Sequence, residues 1–284
     1  MLGSMAHMIL IFVGFVAGML GGLLGIGGSV VMIPAMVIVF TPAGRGDEIQ
    51  QFQAAAMICN FLLIIPAVFR HQKSKAVVWD VWRWLAPAAL AGIVLGVAAS
   101  LLDIFKGNNQ KYMKILFGLF LIYVAYKNFR KLFDNSDGTA KFVAKSCQTK
   151  WKKLCVGLPM GFSAGLLGIG GGALAVPALQ LIIKLPLRNA IATSAATIMT
   201  IAWLGATVKN YGVQAAGDGS ILESLRLAAC LAPTAMIGSY FGGHLTHRLP
   251  LKIVRTAFIS LMIVASFKML QPGLELLQNL LSSR

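Results

Sequence analysis

The sequence predicts an all-α polytopic membrane protein of about eight transmembrane segments in two homologous halves, each half opening with a glycine-broken or re-entrant helix. Three observations carry this prediction. Of 284 residues, 57% are hydrophobic and 12% charged, and mean hydropathy is +0.78, whereas a soluble domain carries about 25% charged residues. The apolar residues fall in several blocks of about 20, the length a helix needs to cross a bilayer. One glycine-rich stretch occurs twice, about half the chain apart, which marks a domain-scale duplication.

The first copy holds Gly18, Gly21, Gly22, Gly25, Ile26, Gly27, Gly28 and Ser29 and closes at Ile33 and Pro34. The second holds Gly161, Gly165, Gly168, Ile169, Gly170, Gly171 and Gly172 and closes at Val176 and Pro177. Both read Gly-x-x-x-Gly-Leu-Leu-Gly-Ile-Gly-Gly. Each copy lies inside an apolar segment, roughly 8–40 and 154–183, that exceeds the roughly 20 residues of a straight membrane helix. Adjacent glycines cost about 1 kcal/mol of helix stability each and admit positive φ. The reading is two half-helices meeting at an unwound turn near the bilayer midplane. Gly18, Gly21, Gly22, Gly161 and Gly165 suit close helix packing, and the later glycines suit the break itself. No Gly-Lys-Ser/Thr follows, so neither copy is a phosphate loop.

The remaining elements follow in order. A polar loop, 43–50, holds Arg45, Asp47 and Glu48. A second segment, 53–69, contains Asn60 and Pro66. A third begins at Trp82, Arg83 and Trp84, whose indoles suit the membrane interface, and carries Pro87, Gly92 and Gly96. A fourth runs from about 112 to 129. The linker 130–153 holds Lys131, Lys141, Lys145, Lys150, Lys152 and Lys153 and belongs in the cytoplasm by the positive-inside rule. It divides a first transmembrane repeat, 8–129, from a second, 154–271. The second repeat continues with a sixth segment, 188–208, a loop from Lys209 to Glu223, a seventh segment, 225–245, and an eighth, 253–270. Pro87, Gly92 and Gly96 align with Pro233, Gly238 and Gly242. If each broken segment spans, the halves are parallel; if each is a re-entrant hairpin, they are inverted. Segments broken at the centre favour the inverted repeat.

The net charge of +16 fits basic cytoplasmic loops and calls for no nucleic acid. Cys59, Cys147, Cys155 and Cys230 form no Cys-x-x-Cys or Cys/His cluster, so no metal or redox pair is expected. No Ser/His/Asp set and no nucleotide motif appear, so neither an enzyme nor a primary pump is expected, and no cofactor is called for. The chain is placed in the cytoplasmic (inner) membrane as a multi-pass protein with lipid as its partner. Monomer and homodimer are both compatible with its small-residue faces.

The doubled Gly-x-x-x-Gly-x-x-Gly-Ile-Gly-Gly with its closing Val/Ile-Pro, together with Ala192, Thr193 and Ser194 and the Pro-x-x-x-x-Gly-x-x-x-Gly segments, resembles the TauE/SafE sulfite exporter family over roughly residues 14–270. The resemblance implies an eight-segment secondary carrier that moves a small sulfur-containing anion (sulfite, thiosulfate or an organosulfonate such as sulfoacetate) across the cytoplasmic membrane, coupled to protons. This sequence departs from the family pattern at Lys75, where a glycine follows His71, at Asn210, where a second histidine would stand, and at Ala54–Ala56, where hydroxyl residues would stand.

A sulfite-sized oxyanion needs several donors and no adjacent carboxylate. The half-helix N-termini at Gly25, Ile26, Gly27 and Gly28 and at Gly168, Ile169, Gly170, Gly171 and Gly172 offer backbone N–H groups with a positive dipole end. Ser29, Asn60, Thr193 and Ser194 add side-chain donors, although membrane serines and threonines often bond the carbonyl a turn earlier. His71 is the candidate for proton coupling. Lys114 and Arg255 are read as interface anchors that snorkel, and Asp80, Asp103, Asp218 and Glu223 as solvated segment ends. The alternative is a carrier of the same build for a carboxylate or a metal cation, and behind it a membrane enzyme or assembly factor.

Overall fold

A computed structural model describes residues 4–24, 27–133, 150–245 and 251–282. Among them are ten helices and no strand: α1 (Ser4–Leu24), α2 (Ser29–Phe40), α3 (Ile49–Lys73), α4 (Trp79–Ser100), α5 (Gln110–Phe133), α6 (Lys150–Leu167), α7 (Gly172–Leu181), α8 (Leu187–Ala215), α9 (Ile221–Leu245) and α10 (Leu251–Ser282). The helices α3, α4 and α9, and α8 from Arg188, are each long and apolar enough to cross a bilayer. Side chains such as Phe12, Phe69, Trp203, Val264 and Phe267 stand exposed on the flanks, where lipid would cover them. The chain is a helical multi-pass membrane protein.

Both glycine stretches break the helix. The second break falls between Leu167 and Gly172. With Gly168, Gly170 and Gly171 at φ +70°, +73° and +75°, this backbone would cost an L-residue roughly 1–2 kcal/mol per position. The helices after the breaks have 12 and 10 residues, about 15–18 Å at 1.5 Å per residue, or half a bilayer. They fold back on the helices before them. A Cβ on Gly28 would stand 3.2 Å from the carbonyl oxygen of Ala17, two turns back along α1. Phe12, Val13 and Val16 line one crevice with Val31, Pro34 and Ile38, and Val156 and Met160 line another with Leu174 and Ala178. Each pair is therefore a helical hairpin.

The hairpins are exchanged between the halves. On α1, Gly14, Gly18 and Gly22 lie against Leu231, Ala235 and Ser239 of α9. On α6, Gly157, Gly161 and Gly165 lie against Leu85, Ala89 and Ile93 of α4. Both seams are small-residue contacts in which one backbone meets another, as membrane helices use in place of a hydrophobic driving force. Neighbouring helices α3 and α8 run antiparallel between them. Gln50, at the start of α3, meets Lys209 near the end of α8. Val78, beyond the end of α3, meets Thr193 near the start of α8.

Several boundaries differ from expectation. The sixth segment does not end at 208: α8 continues to Ala215, so Lys209 lies within the helix and not in a loop. The eighth continues past 270 to Ser282 as α10, through Pro272. Apolar windows stop at the first polar residues, whereas the helix continues wherever neighbours satisfy them. Lys114 is not an exposed anchor: it is 5% exposed and pairs with Asp47. Residues 134–149 of the basic linker lie outside the described residues; α5 and α6 reach into it from either side.

Candidate functional site

The two turns meet at one side chain. Asn60 sits in the middle of α3 and is 1% exposed. Its Oδ1 accepts a hydrogen bond from the Gly28 N–H at 3.0 Å. Gly27 takes φ +83°, and a Cβ there would stand 2.7 Å from the same oxygen. On its other side, a Cβ on Gly170 would collide with Asn60 Nδ2. Asn60 is thus wedged between a turn from each half, and its Nδ2 has no hydrogen-bond partner.

The turns present further unsatisfied groups. Ser29 and Val30 open α2, and Gly172 and Ala173 open α7, so their N–H groups have no carbonyl a turn back. Neither helix has a side-chain cap. Ser29 Oγ is fully buried and unpartnered. Ser239 Oγ shares this state, whereas Ser100, Ser163, Thr197 and Thr200 each donate to a carbonyl one turn earlier. Burying such groups without partners costs free energy, so they cluster where something else supplies the bond. Ile169 is fully buried beside them. Among the described residues, no group of three His, Cys, Asp or Glu gathers as a metal site.

The other candidates fall out as follows. Gly27, Gly28, Ser29, Asn60 and Gly170 are brought together, with Gly168, Ile169, Gly171 and Gly172 on the same turn as Gly170. Gly25 and Ile26 lie outside the described residues. Thr193 is fully buried, but its Oγ1 accepts the Val78 N–H at 3.1 Å, which ties it to the 74–78 loop. Ser194 is buried beside it. His71 is 2% exposed near the end of α3.

Three polar side chains escaped the sequence reading. Gln53 is fully buried with both amide atoms unpartnered, and its Cβ and Cγ pack against Gly168. Asn210 donates to the carbonyls of Ala54 and Ala206 at 3.2 and 2.8 Å, and its Oδ1 has no partner. Lys209 is fully buried. A signal was present: Gln50, Gln53 and Asn60 share one face of α3 at spacings of three and seven.

A family profile described as sulfite exporter TauE/SafE matches residues 10–269. The chain belongs to the sulfite exporter TauE/SafE family. It is 30% identical over 220 residues to a "Probable membrane transporter protein" of Methanocaldococcus jannaschii, covering 72% of this chain and 74% of that one. It is 24% identical over 289 residues to "Probable membrane transporter protein YunE" of Bacillus subtilis, covering 95% and 99%. It is also 25% identical over 291 residues to "Probable membrane transporter protein MamO" of Paramagnetospirillum magneticum, covering 92% of this chain and 44% of that protein; the chain thus spans less than half of MamO. No solved structure matches. Each of these three relatives carries the name of a probable membrane transporter.

Proposed function

We propose that the protein is a secondary carrier for a small sulfur-containing anion such as sulfite, thiosulfate or sulfoacetate, bound where the two glycine turns face each other across Asn60. The observation that carries this reading is Asn60 itself, which accepts from Gly28 and leaves its Nδ2 unpartnered beside Gly170. Backbone N–H groups, one amide and one hydroxyl, with no carboxylate among them, suit an oxyanion.

The same reading takes residues 8–129 and 154–271 as inverted repeats. Each re-entrant hairpin leaves three crossings per half, and the equivalent helices α3 and α8 run antiparallel. The end that holds Arg83, Lys150, Lys152, Lys153, Lys184 and Arg188, together with the linker, is then cytoplasmic. The opposite end holds Arg45, Lys106, Lys111 and Lys114. Alternating access is the rocking of one hairpin pair against the α3–α8 pair around a fixed site. His71 remains the candidate for proton coupling.

The test is flux of radiolabelled sulfite and thiosulfate in proteoliposomes. Wild type should move at least one of them, and Asn60→Leu, likewise branched at Cγ but larger and without donors, should lower that flux at least tenfold while the protein still elutes as a folded species. Equal flux in Asn60→Leu would overturn the site, and uptake of acetate or of a metal ion with no flux of either sulfur anion would overturn the substrate class.

A further inference from the structure

Lys209 is the one described basic residue that is fully buried. Its ammonium donates to Gln50 Oε1 and, at 2.8 Å, to Ser100 Oγ, which leaves one of its three N–H donors unused. Both acceptors are neutral. Other cations in the same part of the fold have carboxylates: Arg45 has Glu48 and Glu223, Lys106 has Asp103, and Lys114 has Asp47. Among the described residues no carboxylate pairs with Lys209. The nearby Asp218 makes no ion pair with Lys209: its Oδ1 accepts from the Gly107 N–H at 2.8 Å and Gln110 Nε2 at 3.3 Å, and its Oδ2 is buried without a hydrogen-bond partner. Gln50 is held with its oxygen towards Lys209, because its Nε2 donates to the carbonyls of Ser100 and Phe105 at 2.7 and 3.2 Å.

A buried charge without a carboxylate in contact is expensive, and within a membrane it marks a functional site by default. One turn along the same face of α3, towards Asn60, stands Gln53. It is fully buried with neither amide atom bonded, and it rests on Gly168, where a Cβ would crowd its side chain at 2.8 Å. Asn210, the residue after Lys209, adds an unpartnered Oδ1. A cation lacking a contacting carboxylate and an amide lacking partners therefore occupy adjacent turns of the α3–α8 pair, between the glycine turns and the Gln50 end.

We propose that Lys209 and Gln53 form a second anion-binding station, through which a small oxyanion passes between the Asn60 turns and the Gln50 end of the protein. This rests on the reading of the protein as an anion carrier and assigns to Lys209 its selectivity for charge. The glycine turns bind through dipoles alone, and protonated Lys209 on the path repels cations and favours anions over neutral solutes of the same size. The anion exchanges its hydration for the free ammonium N–H and the Gln53 Nε2, and its charge balances Lys209 while it rests there.

The test uses the full-length protein and bromide, located by anomalous diffraction from soaked crystals. Wild type should show a bromide within hydrogen-bonding reach of Lys209 Nζ and Gln53. Gln50→Glu, nearly identical in shape, gives Lys209 a permanent carboxylate partner and should abolish the peak. Lys209→Met should do the same, and where that variant fails to fold Gln50→Glu carries the experiment. No bromide at Lys209 in wild type, or a peak that persists in Gln50→Glu, overturns the station. Sulfite flux is measured in parallel and should fall at least tenfold in Gln50→Glu. Bromide bound as expected with no sulfur-anion flux in wild type sinks the substrate reading and leaves the station standing. Flux lost in Asn60→Leu but unchanged in Gln50→Glu sinks the station and leaves the carrier.

Discussion

Replacing Gly170 by alanine should destabilise the protein through Asn60 and not merely through its own backbone. At φ +73° an L-residue costs about 1–2 kcal/mol, offset by about 0.4–1 kcal/mol because alanine restricts the unfolded chain. The new Cβ would also collide with Asn60 Nδ2. Asn60 cannot retreat without giving up its bond to the Gly28 N–H, and an orphaned buried donor costs about 1–3 kcal/mol. The total is about 1–5 kcal/mol, of which the larger part belongs to the contact between residues 60 and 170. A double-mutant cycle isolates that part: Gly170→Ala, Asn60→Ala and the pair, each unfolded by denaturant in mixed micelles. Once Asn60 is truncated, Gly170→Ala should cost only about 1 kcal/mol, the backbone share. Contacting residues couple by about 0.5–3 kcal/mol, whereas independent sites add within roughly 0.5. An additive cycle would refute the claim that one side chain holds both turns.

Further expectations concern other sites. Ser29→Ala removes a buried hydroxyl with no partner, so the ligand-free protein should melt no lower than wild type, while the added stability on saturating with sulfite should shrink; a lower ligand-free melting temperature would show that the hydroxyl is bonded after all. Gly161→Ala and Gly44→Ala should differ in kind. The first drives a Cβ into the Ala89 backbone and parts α6 from α4, costing well above 2 kcal/mol by analogy with overpacked cores. The second adds a Cβ in open space at φ +72° and costs only the backbone share, about 1 kcal/mol. Comparable losses in thermal melts would contradict this account. Glu223→Gln cuts the tie from α9 to Arg45 (3.1 Å), and since both side chains are partly exposed it should change stability by less than about 1 kcal/mol while speeding amide exchange in the 41–48 loop. Unchanged exchange would mean that Glu48 alone holds Arg45.

What could be read from the sequence was whatever depends on local covalent constraint. The second break is set by Gly168, Gly170 and Gly171, whose backbone conformations no other residue would adopt cheaply, so its position is written in adjacent letters. Gly18 and Gly161 likewise mark packing seams through their spacing, although their partners on α9 and α4 are not local. Composition is the same for a spanning helix and a hairpin, so only the return of Gly28 beside Ala17 separates them. The chain reads as a membrane protein everywhere except where polar residues are buried by neighbours. Lys209 resembles the start of a loop until α3 and α4 close over it. Gln53 looks like a segment boundary until Gly168 packs on it. Thr193 was a candidate because it carries a hydroxyl inside an apolar run, and it is the 74–78 loop, remote in sequence, that takes one side of it.

The crossed packing of the hairpins constrains how the protein is made. Gly14 and Gly18 of α1 rest against Leu231 and Ala235, which leave the ribosome near the end of synthesis, roughly 10–40 s later at about 5–20 residues per second. Until then the glycine face of α1 has no helix to pack on, although Asn60 of α3 already reaches the turn, and exposed peptide groups are not tolerated in lipid. The emerging first hairpin must be sheltered by the insertion machinery or wait at the membrane surface, whereas α6 finds α4 already in place. A gene cut within the linker should therefore yield two fragments that are each degraded when made alone and that restore the protein when made together.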